Sequence, residues 1–76
     1  MLKVRVKVVG PLAQFYPAGE GEVELPEGTR AAQLIDVLGL PRFPPPVVVV
    51  NGRQAREGTV LQPGDEVSLL WPAGGG

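Results

Sequence analysis

Leu2-Lys3-Val4-Arg5-Val6-Lys7-Val8-Val9 puts an apolar side chain at every even position and a base at every odd one as far as Lys7. Successive side chains of a strand point to opposite faces. The stretch therefore predicts an opening strand over 2–9, with Leu2, Val4, Val6 and Val8 inward and Lys3, Arg5 and Lys7 outward. Residues 20–25 alternate as well, Glu20, Glu22 and Glu24 falling out of phase with Val23 and Leu25. Antiparallel pairing of the two strands sets the three bases opposite the three glutamates, each favourable pair worth roughly 0.2–1 kcal/mol. These charges register a hairpin on a solvated sheet face and carry no chemistry of their own.

Between the two strands, Gly10, Pro11, Pro17 and Gly19 surround Leu12-Ala-Gln-Phe-Tyr16. This is a long connection with room for one helical turn that pins Leu12 or Phe15 on the core. After Pro26-Glu-Gly28, Thr29 has the chemistry of a helix N-cap, and Ala31, Leu34, Ile35 and Leu38 fall at i, i+3, i+4 and i+7. A helix is expected over about 29–38, with Gly39 closing it in the left-handed conformation and Pro41 following. Pro41, Pro44, Pro45 and Pro46 exclude helix from the next segment and make it an extended crossover. Val47-Val-Val-Val50 then runs as a strand into the tight turn Asn51-Gly52. A short return strand fits 53–56, turns fit Glu57-Gly58 and Pro63-Gly64-Asp65, and a last strand fits 66–71 before Pro72. Strand, strand, helix, strand, short strand, strand is the order of an α+β fold of the β-grasp, or ubiquitin-like, kind. The helix packs across one face of a mixed sheet and the last strand lies beside the first. The expected division is a domain over 1–72 and a flexible glycine tail over 73–76.

Seventy-six residues make one domain at most, and a chain this short has a narrow stability margin. It contains no cysteine and no histidine. A histidine base, a Cys or Ser–His nucleophile and thiolate or imidazole zinc ligation are thereby excluded, and no metal site is expected. An enzyme that completes its own chemistry is not expected. The net charge of −1 supplies no basic excess for a nucleic-acid backbone. No apolar run approaches the ~20 residues that span a bilayer, and the first residues lack the apolar stretch of a signal peptide. The expectation is a soluble, cytoplasmic protein with neither nucleic-acid nor membrane partners.

The sequence closes on Gly74-Gly75-Gly76, directly after a strand and Pro72-Ala73. A glycine terminus is a backbone carboxylate on a string without side chains, able to enter a narrow channel that a Cβ would block. Fully extended, residues 72–76 reach at most about 18 Å from the fold. With no catalytic side chain on the body, the expected reactive atom is the carboxylate carbon of Gly76, with Gly75 beside it.

Val49-Val50-Asn51-Gly52-Arg53, then Leu61-Gln-Pro-Gly64-Asp65-Glu66-Val67, a hydrophobic strand, Pro72 and Gly75-Gly76 resemble the bacterial ubiquitin-like sulfur carriers. These comprise the small subunit of molybdopterin synthase and its relatives, such as the carrier for the thiazole of thiamin. The likeness covers essentially the whole chain. Its specific parts are the Pro-Gly-Asp-Glu-Val turn and the diglycine end. The long connection after Val9 and Leu25-Pro-Glu-Gly28 look more like the molybdopterin type. Family tails commonly have alanine before the two glycines, where this chain has Gly74.

The resemblance implies a mechanism. An adenylyltransferase related to the ubiquitin-activating enzymes joins the Gly76 carboxylate to AMP, using ATP and Mg. A sulfur donor converts the acyl-adenylate to a thiocarboxylate. The large subunit of molybdopterin synthase receives the tail and passes its sulfur to the pterin precursor, in molybdenum cofactor biosynthesis. No cofactor is bound by the chain itself. A ubiquitin-like modifier conjugated to lysines, or a carrier for thiamin thiazole or tRNA thiolation, shares the activation step and stands as the alternative. A non-covalent binding module would use neither glycine.

The partner-binding surface is expected on the sheet face opposite the helix. With Val67, Leu69 and Trp71 inward, Ser68 and Leu70 face out, and with Val48 and Val50 inward, so do Val47 and Val49. The resemblance places Val49 and Leu70 where ubiquitin presents its hydrophobic patch. Val47, Val49 and Leu70, with Pro72, Ala73 and Gly74 at the root of the tail, are the expected contact residues.

Overall fold

The computed structural model describes residues 1–72. Strand β1, Leu2–Val8, buries Leu2, Val4, Val6 and Val8 and exposes the residues between them, as its alternation requires. A 3-10 helix over Gly10–Phe15 follows, and of its two apolar candidates it is Leu12 that is fully buried, while Phe15 stays 44% exposed. Strand β2, Glu20–Leu25, returns antiparallel to β1 with Lys3 opposite Glu24, Arg5 opposite Glu22 and Lys7 opposite Glu20. The one ion pair across this hairpin is diagonal, Arg5 to Glu20 at 3.5 Å, with both side chains exposed.

The helix is shorter than its apolar stripe suggests. A 3-10 turn over Ala31–Gln33 runs into helix α1, Leu34–Val37. Thr29 and Arg30 cannot join it because they are held in extended pairing with the segment 59–61. Ala31 N–H donates to Thr59 O at 2.9 Å, Leu61 N–H donates to Thr29 O at 2.9 Å, and Arg30 bridges Val60. Thr29 is therefore not the N-cap: its hydroxyl donates to Pro26 O at 2.6 Å. Arg30 takes that position, and its N–H donates to Gln33 Oε1 at 2.7 Å. The C-terminus closes as expected. Gly39 sits at φ 70°, Leu40 N–H donates to Ile35 O at 2.9 Å and Gly39 N–H donates to Asp36 O at 3.1 Å, the paired bonds of a Schellman cap.

Strand β3, Val47–Val50, turns through Asn51 and Gly52, both at positive φ (51° and 84°), into β4, Arg53–Gln54. That is the backbone of a type I′ hairpin. The return strand stops two residues short of the expected 53–56. Strand β5, Glu66–Leu70, ends one residue before Trp71. The sheet order is β2-β1-β5-β3-β4, with β1 and β5 parallel and the other neighbours antiparallel. The core consists of the inward residues of β1 and β5 with Val48, Leu12, Leu25, Ala31, Leu34, Leu40 and Leu61.

Ile35, Leu38, Val50 and Trp71, all expected inside, are only partly buried against that core. The short helix presents Leu34 squarely to the sheet and leaves Ile35 and Leu38 on its flanks. Truncation of Leu34, which is fully buried, to alanine should cost about 2–5 kcal/mol, and the same change at Leu38 distinctly less. Urea unfolding of the two variants checks the order, and equal losses would contradict it.

Candidate functional site

The site begins with the turn that starts the last strand. Gly64 adopts φ 83°, a conformation that a side chain strains. The Asp65 carboxylate then accepts from Gln62 N–H (Oδ2, 2.8 Å) and from Asn51 Nδ2 (Oδ1, 2.9 Å). Asn51 Oδ1 accepts from Glu66 N–H at 2.9 Å, and Asn51 N–H donates to Glu66 O at 2.8 Å. On the other side, Arg5 N–H donates to Asp65 O at 2.9 Å and Gly64 N–H to Lys3 O at 2.8 Å. The Pro-Gly-Asp-Glu-Val motif is thus a clamp that ties the first strand, the β3–β4 turn and β5 together. It fixes the register of β5 against both neighbours, and with it the place where the chain leaves the sheet.

At the far end of β5, Val47 pairs with Leu70, Val48 with Leu69 and Val49 with Ser68. Paired residues share a face, and Val48 and Leu69 are buried. Val47, Val49 and Leu70 therefore lie together on the opposite face, each half-buried. Lys7 pairs with Ser68 from the other side and gives this apolar group a basic border. Pro72, exposed, follows. Ala73, Gly74, Gly75 and Gly76 lie outside the described residues.

Sequence reasoning missed how the exit is anchored. The Trp71 indole Nε1–H donates to Pro44 O at 2.6 Å, and its ring meets Phe15 edge-on at 5.7 Å between centroids and 76° between planes. The 3-10 helix and the proline-rich crossover are both fastened to the residue before Pro72. Arg42, two residues before Pro44, makes a bidentate pair with Asp36 on α1 at 2.8 and 2.7 Å, which secures the crossover a second time. A lone tryptophan in a chain that also carries a run of prolines at 44–46 was the available signal. A partly buried indole N–H needs an acceptor, and proline offers a carbonyl with no donor of its own.

Among the described residues, no group of three or more Asp or Glu side chains is placed to hold a metal ion. None of their helices is long and apolar enough to cross a membrane. The described residues present an apolar, base-edged surface beside the end of β5.

A mixed five-stranded sheet with its C-terminal strand at the centre and a short helix across one face is the ubiquitin-like β-grasp. The chain belongs to the ThiS family of ubiquitin-like sulfur carriers, whose family profile matches residues 6–76. It is similar to a Pyrococcus furiosus protein assigned as molybdopterin converting factor, subunit 1. That structure superposes with a TM-score of 0.79 at 30% identity, over 96% of this chain and 100% of the other. Two structures of small archaeal modifier protein 1 from Haloferax volcanii share the fold. Their TM-scores are 0.78 and 0.76 at 19% and 21% identity, over 96% and 97% of this chain and 100% and 99% of theirs. No curated protein matches the sequence.

Replacing Trp71 by phenylalanine keeps the ring and removes the bond to Pro44. A net loss of about 0.5–1.5 kcal/mol is expected, read from denaturant midpoints. An unchanged midpoint would show that the indole bond does not hold the crossover.

Proposed function

We propose that this chain carries sulfur as a thiocarboxylate on Gly76 and serves as the small subunit of molybdopterin synthase. The observation that carries the reading is the family match, which runs from residue 6 through Gly75 and Gly76. The Pyrococcus furiosus relative, assigned to molybdopterin conversion and covered over its whole length, supports the choice of pathway.

A carboxylate is a poor acyl donor until activated. An adenylyltransferase of the ubiquitin-activating kind supplies that activation: a Gly76 carboxylate oxygen displaces pyrophosphate from ATP·Mg and forms an acyl-adenylate. A donor of sulfide-level sulfur then displaces AMP at the acyl carbon and leaves the thiocarboxylate. The large synthase subunit accepts the tail, and the thiocarboxylate sulfur bonds to the pterin precursor. Water then cleaves the acyl–sulfur bond, which leaves the sulfur on the pterin and returns Gly76 to the carboxylate. Base, metal and nucleotide site belong to the partners. This suits a chain with no histidine and no cysteine.

The body's part is delivery. Val47, Val49 and Leu70 form the apolar docking surface, and Pro72, Ala73 and Gly74 lead from it into the partner's channel. Apolar area beside a reactive terminus holds the carrier while its last residues insert.

Two variants separate these roles. Deleting Gly75 and Gly76 removes the reacting carbon but none of the core residues, so melting should be unchanged and ATP–pyrophosphate exchange with the adenylyltransferase lost. Leu70→Glu should also fold, and should weaken binding to that enzyme and to the large subunit at least about tenfold, as loss of an interface anchor does. Normal exchange by the truncated chain would refute the carrier mechanism. Unaltered affinity of Leu70→Glu for both partners would place docking elsewhere.

A further inference from the structure

We propose that the free edge of β2 is a strand-addition site for an extended segment of a partner protein that alternates basic and apolar residues. The inference is independent of the apolar surface and of the tail.

The geometry follows from the ladder. Val8 N–H donates to Gly19 O at 2.8 Å, so Val8 and Gly19 form a hydrogen-bonded pair. In an antiparallel ladder such pairs alternate. The register Lys7–Glu20, Val6–Gly21, Arg5–Glu22, Val4–Val23, Lys3–Glu24 then turns the N–H and C=O of Gly21 and Val23 toward β1. Those of Glu20, Glu22 and Glu24 turn away from it. β2 is the outermost strand, and among the described residues no hydrogen bond reaches these three N–H and three C=O groups. The edge is six residues long and unpaired, which is the template for adding a strand.

The occupant is specified by both faces of the edge. On the open face, a guest strand meets Glu20, Glu22 and Glu24, all exposed. On the helix side it meets the half-buried Val23 and Tyr16, whose hydroxyl lies 3.3 Å from where a Cβ on Gly21 would be. Carboxylates on one face and apolar surface on the other call for Lys or Arg at alternate positions with apolar residues between. The fold already contains one such pairing, because β1 meets β2's other side with Lys3, Arg5 and Lys7 against the same glutamates. A second copy of this chain is a poor guest. Its own β1 is internal to the sheet, and β2 against β2 would oppose like charges. Because β1 separates β2 from β5, a guest on this edge leaves Leu70 and Pro72 uncovered. One protein can hold the carrier here while another takes the tail.

The test uses the full ¹⁵N-labelled chain and the capped heptapeptide TKVRVKT. Amide exchange at Glu20, Glu22 and Glu24 should slow at least about tenfold at saturating peptide, as formation of a new ladder requires. Gly21 and Val23, already bonded, should not change. Raising NaCl from about 50 to about 500 mM should weaken binding severalfold, and Glu22→Lys should weaken it at least tenfold. Should Glu22→Lys fail to fold, the decisive arm keeps the wild-type chain and N-methylates the alternate peptide amides that would face β2. Loss of binding then supports strand addition. Equal binding of the methylated peptide, shifts confined to Val47, Val49 and Leu70, absence of protection at the three glutamates, or self-association of the carrier through residues 20–25 would overturn it.

Discussion

The parallel pairing of β1 with β5 is the constraint on which this molecule depends. Arg5 pairs with Glu66, Val6 with Val67, Lys7 with Ser68 and Val8 with Leu69, so residues from opposite ends of the chain lie side by side at the centre of the sheet. Parallel neighbours cannot be joined by a tight turn, and everything between them is in effect one crossover. It must cover the buried valines of both strands and return in time for Glu66. Leu12, Ala31, Leu34, Leu40 and Leu61, all buried, are the side chains that do the covering. The Asn51–Asp65–Glu66 clamp holds the start of β5 in register, and Trp71 secures its end.

That arrangement suits a carrier. The strand leading to Pro72 is flanked on both sides by hydrogen-bonded neighbours, so the exit point of the chain is set by the most interior element of the fold. In the proposed function, stability and delivery therefore draw on the same contacts. Membership of the ThiS family gives this geometry its meaning: in the function proposed above, the body presents and partners carry out the chemistry. With seven bases against eight acids, net charge offers a partner little to read, and both proposed docking surfaces rest on local pattern. The two patterned surfaces are the apolar group beside β5 and the charged edge of β2.

Much of the fold was legible in local sequence because its strands alternate or are β-branched. The bounds of β2 and β3 match their sequence patterns residue for residue. Gly39, Asn51-Gly52 and Gly64 take the positive φ that their turns demand. The helix was misjudged at its start because Thr29 and Arg30 are captured by Thr59, Val60 and Leu61, a contact across thirty residues that no periodicity encodes. In the same way, parity alone placed Val47, Val49 and Leu70 on one face, whereas only the register shows Val47 directly beside Leu70. The link from Trp71 to Pro44 was hidden for a related reason, since an indole's acceptor is chosen by tertiary packing.

In the proposed function, Gly76 carries sulfur as a thiocarboxylate. This is tested most directly by incubating the chain with its adenylyltransferase, ATP·Mg and a sulfur donor and measuring the mass of the C-terminal peptide. The expected result is a gain equal to the exchange of one oxygen for one sulfur, confined to the fragment ending at Gly76 and absent when ATP is withheld. A chain that forms its adenylate but never acquires that mass, or acquires it anywhere other than Gly76, would contradict it.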